Sequence, residues 1–241
     1  MGQCVILLAM KKQITCWGIL GALDREVALL REQMQVESEE ALLGTTFLSG
    51  TLCGQRVVVA CCGIGKVNAA MCATYMLYSK GCDALVNVGI AGGVGKGLHT
   101  LDVVISREVC FHDQDPVMLK YFPQRQFFDA DADLRALCVS VCEKADALTG
   151  SWREGRIATG DKFVADRATR DAIVAALAPD CVEMEGAAIA HVATAAGRPF
   201  LIIRTMSDCA DDDASVTYDN FLERAADQSA RIILGMLQDV H

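Results

Sequence analysis

The 241-residue chain lacks any apolar run close to the ~20 residues that cross a bilayer, so a membrane span is not expected. It is also poor in positive charge. Its 22 Lys and Arg stand against 31 Asp and Glu, for a net charge of −9. Such a surface repels phosphate backbones and anionic headgroups, which argues against nucleic-acid and membrane partners. The four histidines are scattered, and no C-x-x-C pair or Cys/His cluster has zinc-site spacing. Neither a metal nor an organic cofactor is expected. The N-terminal segment places Lys11 and Lys12 after its short apolar run, the reverse of a secretory signal. Met1-Gly2 is followed by Ile6 where myristoylation wants Ser or Thr. Residues 1–13 are therefore read as an extension and 14–241 as a single domain.

Cysteine, by contrast, is plentiful at twelve residues. With no signal peptide and no small loop-rich scaffold, a disulfide framework is not expected. Most of the thiols lie in apolar stretches, as Cys61 and Cys62 do, and are read as small buried hydrophobes. Hydrophobic residues make up 52% of the chain, enough for the core of one large domain and a reducing, cytoplasmic protein.

Short β-branched runs alternate with longer amphipathic ones. Strands are expected over residues 14–20, 45–62 with a break at Gly54, 84–90, 102–109, 156–159 and 200–204. Helices are expected over 24–35, 66–80, 131–147, 166–177, 183–196 and 217–238, with Gly81 and Gly197 as stops. Residues 111–128 read as irregular and aromatic. This alternation predicts an α/β three-layer sandwich, a central mixed twisted sheet flanked by helices. Ligands in such sheets lie at the carboxyl ends of strands. That directs attention to the segments after Leu20, Ile90, Thr159 and Arg204.

Two glycine-rich loops invite a nucleotide-binding reading, and both fail it. Gly63-Ile64-Gly65-Lys66 is followed by Val67 rather than Ser or Thr, and Asn68 stands where a dinucleotide fingerprint needs glycine. The loop from Gly89 to Gly97 fails the same fingerprint at Leu98. Close packing of a turn is the simpler explanation.

Six segments occur in a telling order. They are Gly21-Ala22-Leu23-Asp24-Arg25-Glu26-Val27, Gly63-Ile64-Gly65-Lys66-Val67-Asn68-Ala69-Ala70, Asn87-Val88-Gly89-Ile90-Ala91-Gly92-Gly93, Thr159-Gly160-Asp161-Lys162-Phe163-Val164, Val182-Glu183-Met184-Glu185-Gly186-Ala187-Ala188-Ile189-Ala190 and Arg204-Thr205-Met206-Ser207-Asp208. Together, from about Ile14 to the C-terminus, they resemble the 5′-methylthioadenosine/S-adenosylhomocysteine nucleosidases of the purine nucleoside phosphorylase superfamily. The resemblance implies hydrolysis of the N-glycosidic bond of a 5′-thio-substituted adenosine, without cofactor, by a homodimer.

It also implies roles. Asp208 matches the general acid that protonates purine N7, a task for which burial is expected to raise a carboxyl pKa. Glu26 matches the residue that activates the attacking water. Glu185 matches the ligand of the ribose hydroxyls, and Arg204 the fork that orients the carboxylates. Glu183 stands two residues from Glu185, so both can serve one site only where a helix begins. Phe163 matches the ring that stacks on adenine, Val164 the backbone that bonds its edge, and Met184 the packing against ribose. Tyr218 is expected at the 5′ pocket, which Tyr121-Phe122-Pro123 would help to close. Ala91, Gly92 and Ser207 belong to matched segments and are expected around the substrate. Ile90 departs from the pattern, because the family usually has serine there. An isoleucine offers no side-chain donor to a phosphate, which favours water over phosphorolysis. Three alternatives stand beside this reading: a purine nucleoside or methylthioadenosine phosphorylase, a nucleosidase for another 5′ group such as a futalosine-type substrate, and a non-catalytic nucleoside-binding module.

Overall fold

The computed structural model describes residues 13–42, 44–121, 125–144, 148–208, 210 and 214–240, with the side chains of 214–220 excepted. The expected extension falls outside the described residues apart from Gln13. Ten strands build one mixed sheet. In chain order they are β1 (Trp17–Gly21), β2 (Gln35–Leu42), β3 (Thr45–Leu52), β4 (Gln55–Cys61), β5 (Ala84–Gly93), β6 (Val103–Phe111), β7 (Phe128–Asp129), β8 (Trp152–Thr159), β9 (Cys181–Glu183) and β10 (Phe200–Asp208). The helices are α1 (Asp24–Gln33), α2 (Lys66–Tyr78), α3 (Ala132–Lys144), α4 (Arg167–Leu177), α5 (Gly186–Ala195) and α6 (Ala214–Asp239). The aromatic segment holds a short 3-10 turn, Pro116–Lys120.

The centre of the sheet is parallel. β5 lies between β1 and β10 and runs parallel to both. Its residues are buried almost throughout, as are all five of β1 and all nine of β10. Strands covered on both faces read as continuous apolar runs, which is why these three were legible in the sequence. One part of the sheet closes on itself. β5 pairs with β10, β10 with β6, β6 with β8, β8 with β9, and β9 returns to β5. Helices cover the faces: α5 packs against α2, and α6 packs against α1, α3, β5 and β10. Ser229 of α6 anchors that packing by donating to the carbonyl of Gly89 at 3.0 Å.

Four differences from the sequence reading matter. β2 was not anticipated. Its residues Gln35–Leu42 are mostly exposed and rich in glutamate, so no apolar alternation marks them. It is an edge strand, where charge discourages pairing with another chain. β9 is not expected from the sequence, and its last residue falls in the helix expected from residue 183, whereas α5 starts at Gly186. β5 and β10 run three and four residues past the expected ends at 90 and 204, which puts Gly92 and Asp208 inside strands. The glycines of 89–93 are thus strand residues, not a loop.

Candidate active site

The carboxyl ends of β1, β5, β8 and β10 gather around one cleft of about 420 Å³. Glu26, Ile90, Ala91, Gly92, Phe163, Glu183, Met184, Glu185, Ser207 and Asp208 all line it, so the structure brings together nearly every residue singled out above. Val164 is buried just beyond, in a small annex lined also by Phe163 and Asp208. Arg204 stands behind the lining residues, 1% exposed. The side chain of Tyr218 and residues Phe122 and Pro123 lie outside the described residues. Tyr121 is exposed and does not line the cleft. Ala22, Leu23, Ile64 and Val182 line it as well; they stand within the matched segments but no role was expected of them. Apolar wall residues carry the same signature in a sequence as core residues, so only their place in those segments pointed to them.

Glu26 sits in the first turn of α1, immediately after β1. Its Oε2 reaches back to the main-chain N–H of Ala22 at 2.6 Å and of Leu23 at 2.9 Å, satisfying donors that the helix start leaves unpaired. Its Oε1 accepts from the N–H of Ile90 at 3.0 Å, bridging α1 to β5. Only 3% of the residue is exposed. Burial pushes its carboxyl above the usual glutamate range, and Arg204 and the three N–H groups offset this only in part. Gly89 makes the arrangement possible. A Cβ there would stand 2.5 Å from Glu26 Oε1.

Asp208 ends β10 on the other side of β5. Its Oδ2 accepts from Ser207 Oγ at 2.7 Å and its Oδ1 from the N–H of Ala210 at 2.8 Å, with 2% of the residue exposed. Here Gly92 gives the room, since a Cβ there would meet Asp208 Oδ1 at 2.9 Å. One strand therefore carries two glycines three residues apart, one facing each carboxyl group. That accounts for a glycine pattern which fits no phosphate-binding fingerprint.

Between them lies a buried charge network. Glu183 is the last residue of β9 and Glu185 is the N-cap of α5, so the chain is at a helix start where both can face one region. Glu183 accepts from Thr159 Oγ1, from the N–H of Gly186 at 2.7 Å and from the N–H of Glu185 at 3.1 Å. Arg204 pairs with it at 2.5 Å and also bonds Asn87 Oδ1. Both oxygens of Glu183 are thus held by the protein, and its structural work is to cap α5 and seat Arg204. Glu185 lies 3.9 Å from Arg204 and accepts from the N–H of Gly65 at 2.8 Å. Burial first, and the neighbouring Glu183 second, push the Glu185 carboxyl up to about 8. Asn87, Thr159 and Gly65 lay within the matched segments, but their partners could not be read from spacing alone. Among the described residues, no cluster of three or more His, Cys, Asp or Glu side chains is arranged to hold a metal ion.

The arrangement offers a carboxyl group at each edge of β5, an aromatic ring at the rim and a buried fork of charge behind. A sequence profile described as the Phosphorylase superfamily matches residues 17–238. A 5′-methylthioadenosine/S-adenosylhomocysteine nucleosidase of Actinobacillus succinogenes is 37% identical over 229 residues, spanning 92% of this chain and 98% of that protein. The chain belongs to this nucleosidase family, within the phosphorylase superfamily. Among solved structures, the Neisseria meningitidis nucleosidase in complex with methylthio-immucillin-A superposes with a TM-score of 0.89 at 34% identity, covering 94% of this chain and all of that one (100%). A futalosine hydrolase of Helicobacter pylori superposes with a TM-score of 0.87 at 30% identity, covering 94% and 98% of the two chains. The fold is therefore shared by relatives named for different substrates.

Proposed function

We propose that the chain hydrolyses the N-glycosidic bond of 5′-methylthioadenosine and S-adenosylhomocysteine, releasing adenine and the 5′-thio-substituted ribose. The observation that carries this reading is the pair of buried carboxyl groups, Glu26 and Asp208, at the two edges of β5 in one cleft.

Leaving of the base builds negative charge on the purine and positive charge on the ribose. Asp208 delivers a proton to N7, so that adenine departs neutral. Ser207 and the N–H of Ala210 fix that carboxyl in place. Glu26 orients a water beneath C1′ and takes its proton as the new C–O bond forms. Its three main-chain contacts hold it still through that step. Glu185 binds the ribose hydroxyls, and Phe163 stacks on the base. The Glu26 carboxylate stabilises the developing oxocarbenium charge. Ile90 contributes its N–H to Glu26 through the main chain, so replacing the family's usual serine leaves this contact intact. That argues against a site that binds without turning over. The isoleucine side chain offers a phosphate anion no donor and the carboxylate of Glu26 repels it, which favours water as nucleophile.

A homodimer belongs to the same reading. Ile64 on the cleft wall is 50% exposed, and Val67, Met71 and Tyr78 of α2 and Val117, Met118 and Tyr121 near the 3-10 turn are exposed apolar groups. A second copy covering them would help to close the 5′ end. Ten described cysteines are free thiols, most of them buried, which suits a reducing cytoplasm.

The test is a base-release assay, reading adenine or hypoxanthine, on adenosines with different 5′ substituents and on futalosine, with and without phosphate. Release of adenine from the two thio-nucleosides at a rate independent of phosphate is expected. Release that requires phosphate would make the chain a phosphorylase. Preference for futalosine would reassign the 5′ pocket.

A further inference from the structure

Beside the cleft, three segments from different parts of the chain lock together. Lys66 opens α2, directly after the Gly65 whose N–H holds Glu185. Asp113 follows β6. Asp161 follows β8 and stands two residues before Phe163. The Lys66 ammonium binds both oxygens of Asp113, at 2.7 and 2.6 Å, and lies 3.4 Å from Asp161 Oδ2. The Lys66 N–H donates to Asp161 Oδ1 at 2.9 Å, and the Asp161 N–H donates to Asp113 Oδ2 at 2.9 Å. The contacts form a closed ring.

None of the three residues lines the cleft, but Lys66 follows the Gly65 whose N–H holds Glu185, Asp161 stands two residues before Phe163, and Asp113 joins the two. The pair is shielded, with the side chains of Lys66 and Asp113 only 25% and 29% exposed. Burial alone would raise the Asp113 carboxyl, but Lys66 and the Asp161 N–H outweigh it and hold the group below its usual range. The loop after β8 has little freedom to settle elsewhere. Gly160 lies on the ring of His112, where a Cβ would come within 2.2 Å of the imidazole. With the ring closed, the loop carrying Phe163 is held at a fixed distance from the turn that holds Glu185.

We propose that Lys66, acting through Asp113 and Asp161, is a positioning residue that sets the Phe163 ring against the Glu185 carboxyl so that base and sugar are gripped together. The inference rests on the proposed function, and it concerns binding rather than the chemical step. An interaction made equally in ground and transition states changes KM and leaves kcat alone.

The experiment uses the full chain and the variants Lys66→Met, Asp113→Asn, their combination and Lys66→Arg. It measures kcat and KM for 5′-methylthioadenosine, Kd for adenine by calorimetry, and Tm. Lys66→Met and Asp113→Asn should each raise KM and the adenine Kd by about tenfold, with kcat within about threefold of wild type. The combined variant should be no worse than either alone, because the two share one interaction. Lys66→Arg should restore KM to within about threefold of wild type. A lowered Tm with unchanged KM and adenine Kd would reduce the ring to a structural brace and overturn the inference, and so would additive effects in the combined variant. A wild-type chain that binds adenine without releasing it would refute hydrolysis while the adenine Kd still judged Lys66. One that neither binds nor releases adenine would refute both.

Discussion

Glu26 and Asp208 flank the end of β5 from its two edges, and they are held by different means. Among the described residues, the hydrogen bonds to the Glu26 carboxyl come from main-chain N–H groups, drawn from the start of α1 and from β5. Asp208 accepts from the Ser207 hydroxyl and from the N–H of Ala210, at the point where β10 ends. The Glu26 side backs onto Arg204 and two further carboxyl groups, all almost fully buried. The Asp208 side opens toward Phe163, which is 45% exposed. A group that must aim a water at one carbon gains from a rigid setting. A group that meets a departing base stands where the base can enter and leave. The difference suggests that water attack depends on the sheet, while base recognition depends on loops that lean on it.

The comparison breaks most sharply at Glu26 itself. Glu26→Gln keeps the shape but cannot take a proton, so turnover should fall by roughly 10³–10⁴-fold while adenine still binds. Stopped assays on the purified variant, with calorimetry in parallel, measure both. Normal turnover would mean that another group readies the water. Next comes Gly89→Ala. The added methyl must displace the carboxyl that now stands 2.5 Å from its position. A shift of that kind should cost roughly 10²-fold in kcat with KM little changed. If kcat holds, the rigidity ascribed to this side is wrong. On the other side, Phe163→Ala should raise KM roughly tenfold and spare kcat, the usual worth of stacking on a base. Equal losses in kcat would mean that the loop takes part in the chemical step.

These contrasts were legible in part. The motifs around Glu26, Glu185, Arg204 and Asp208 pointed to residues that the fold gathers in or directly behind one cleft, because polar side chains stand there at strand ends, where apolar patterning stops. The glycines at 89 and 92 were visible, but their reason was not. It depends on which side chain lies opposite, and that is set by the register of β10 and the turn into α1. β9 was hidden because three residues carry no period, and β2 because an exposed acidic edge carries no apolar one. The apolar walls at Leu23 and Ile64 look like core until the cleft is seen.

The smallest expected effects concern pH. In the proposed mechanism Glu26 must be ionised to accept a proton, and burial raises its pKa, so the acid limb of kcat/KM should lie above the ordinary glutamate value of 4.5. Stability should show the companion effect at Glu185. Its folded pKa of about 8 exceeds the reference value of 4.5, so the folded state keeps a proton that the unfolded chain has lost. That contribution to stability is whole below 4.5, declines as pH rises, and is gone above about 8. The Tm of Glu185→Gln relative to wild type should therefore climb by roughly a few degrees across this window and then level off. A constant offset at all pH values would show that Glu185 is not strained by its setting.

The division of labour between the two carboxyl groups is tested most directly by changing the leaving group. A 5′-methylthioriboside of 4-nitrophenol departs without needing a proton. Asp208→Asn should lose roughly 10²–10⁴-fold on 5′-methylthioadenosine yet stay within about tenfold of wild type on the nitrophenyl substrate. Glu26→Gln should lose both. If Asp208→Asn fails equally on the two substrates, Asp208 does not serve the departing base, and the assignment of acid and water-activating roles is wrong.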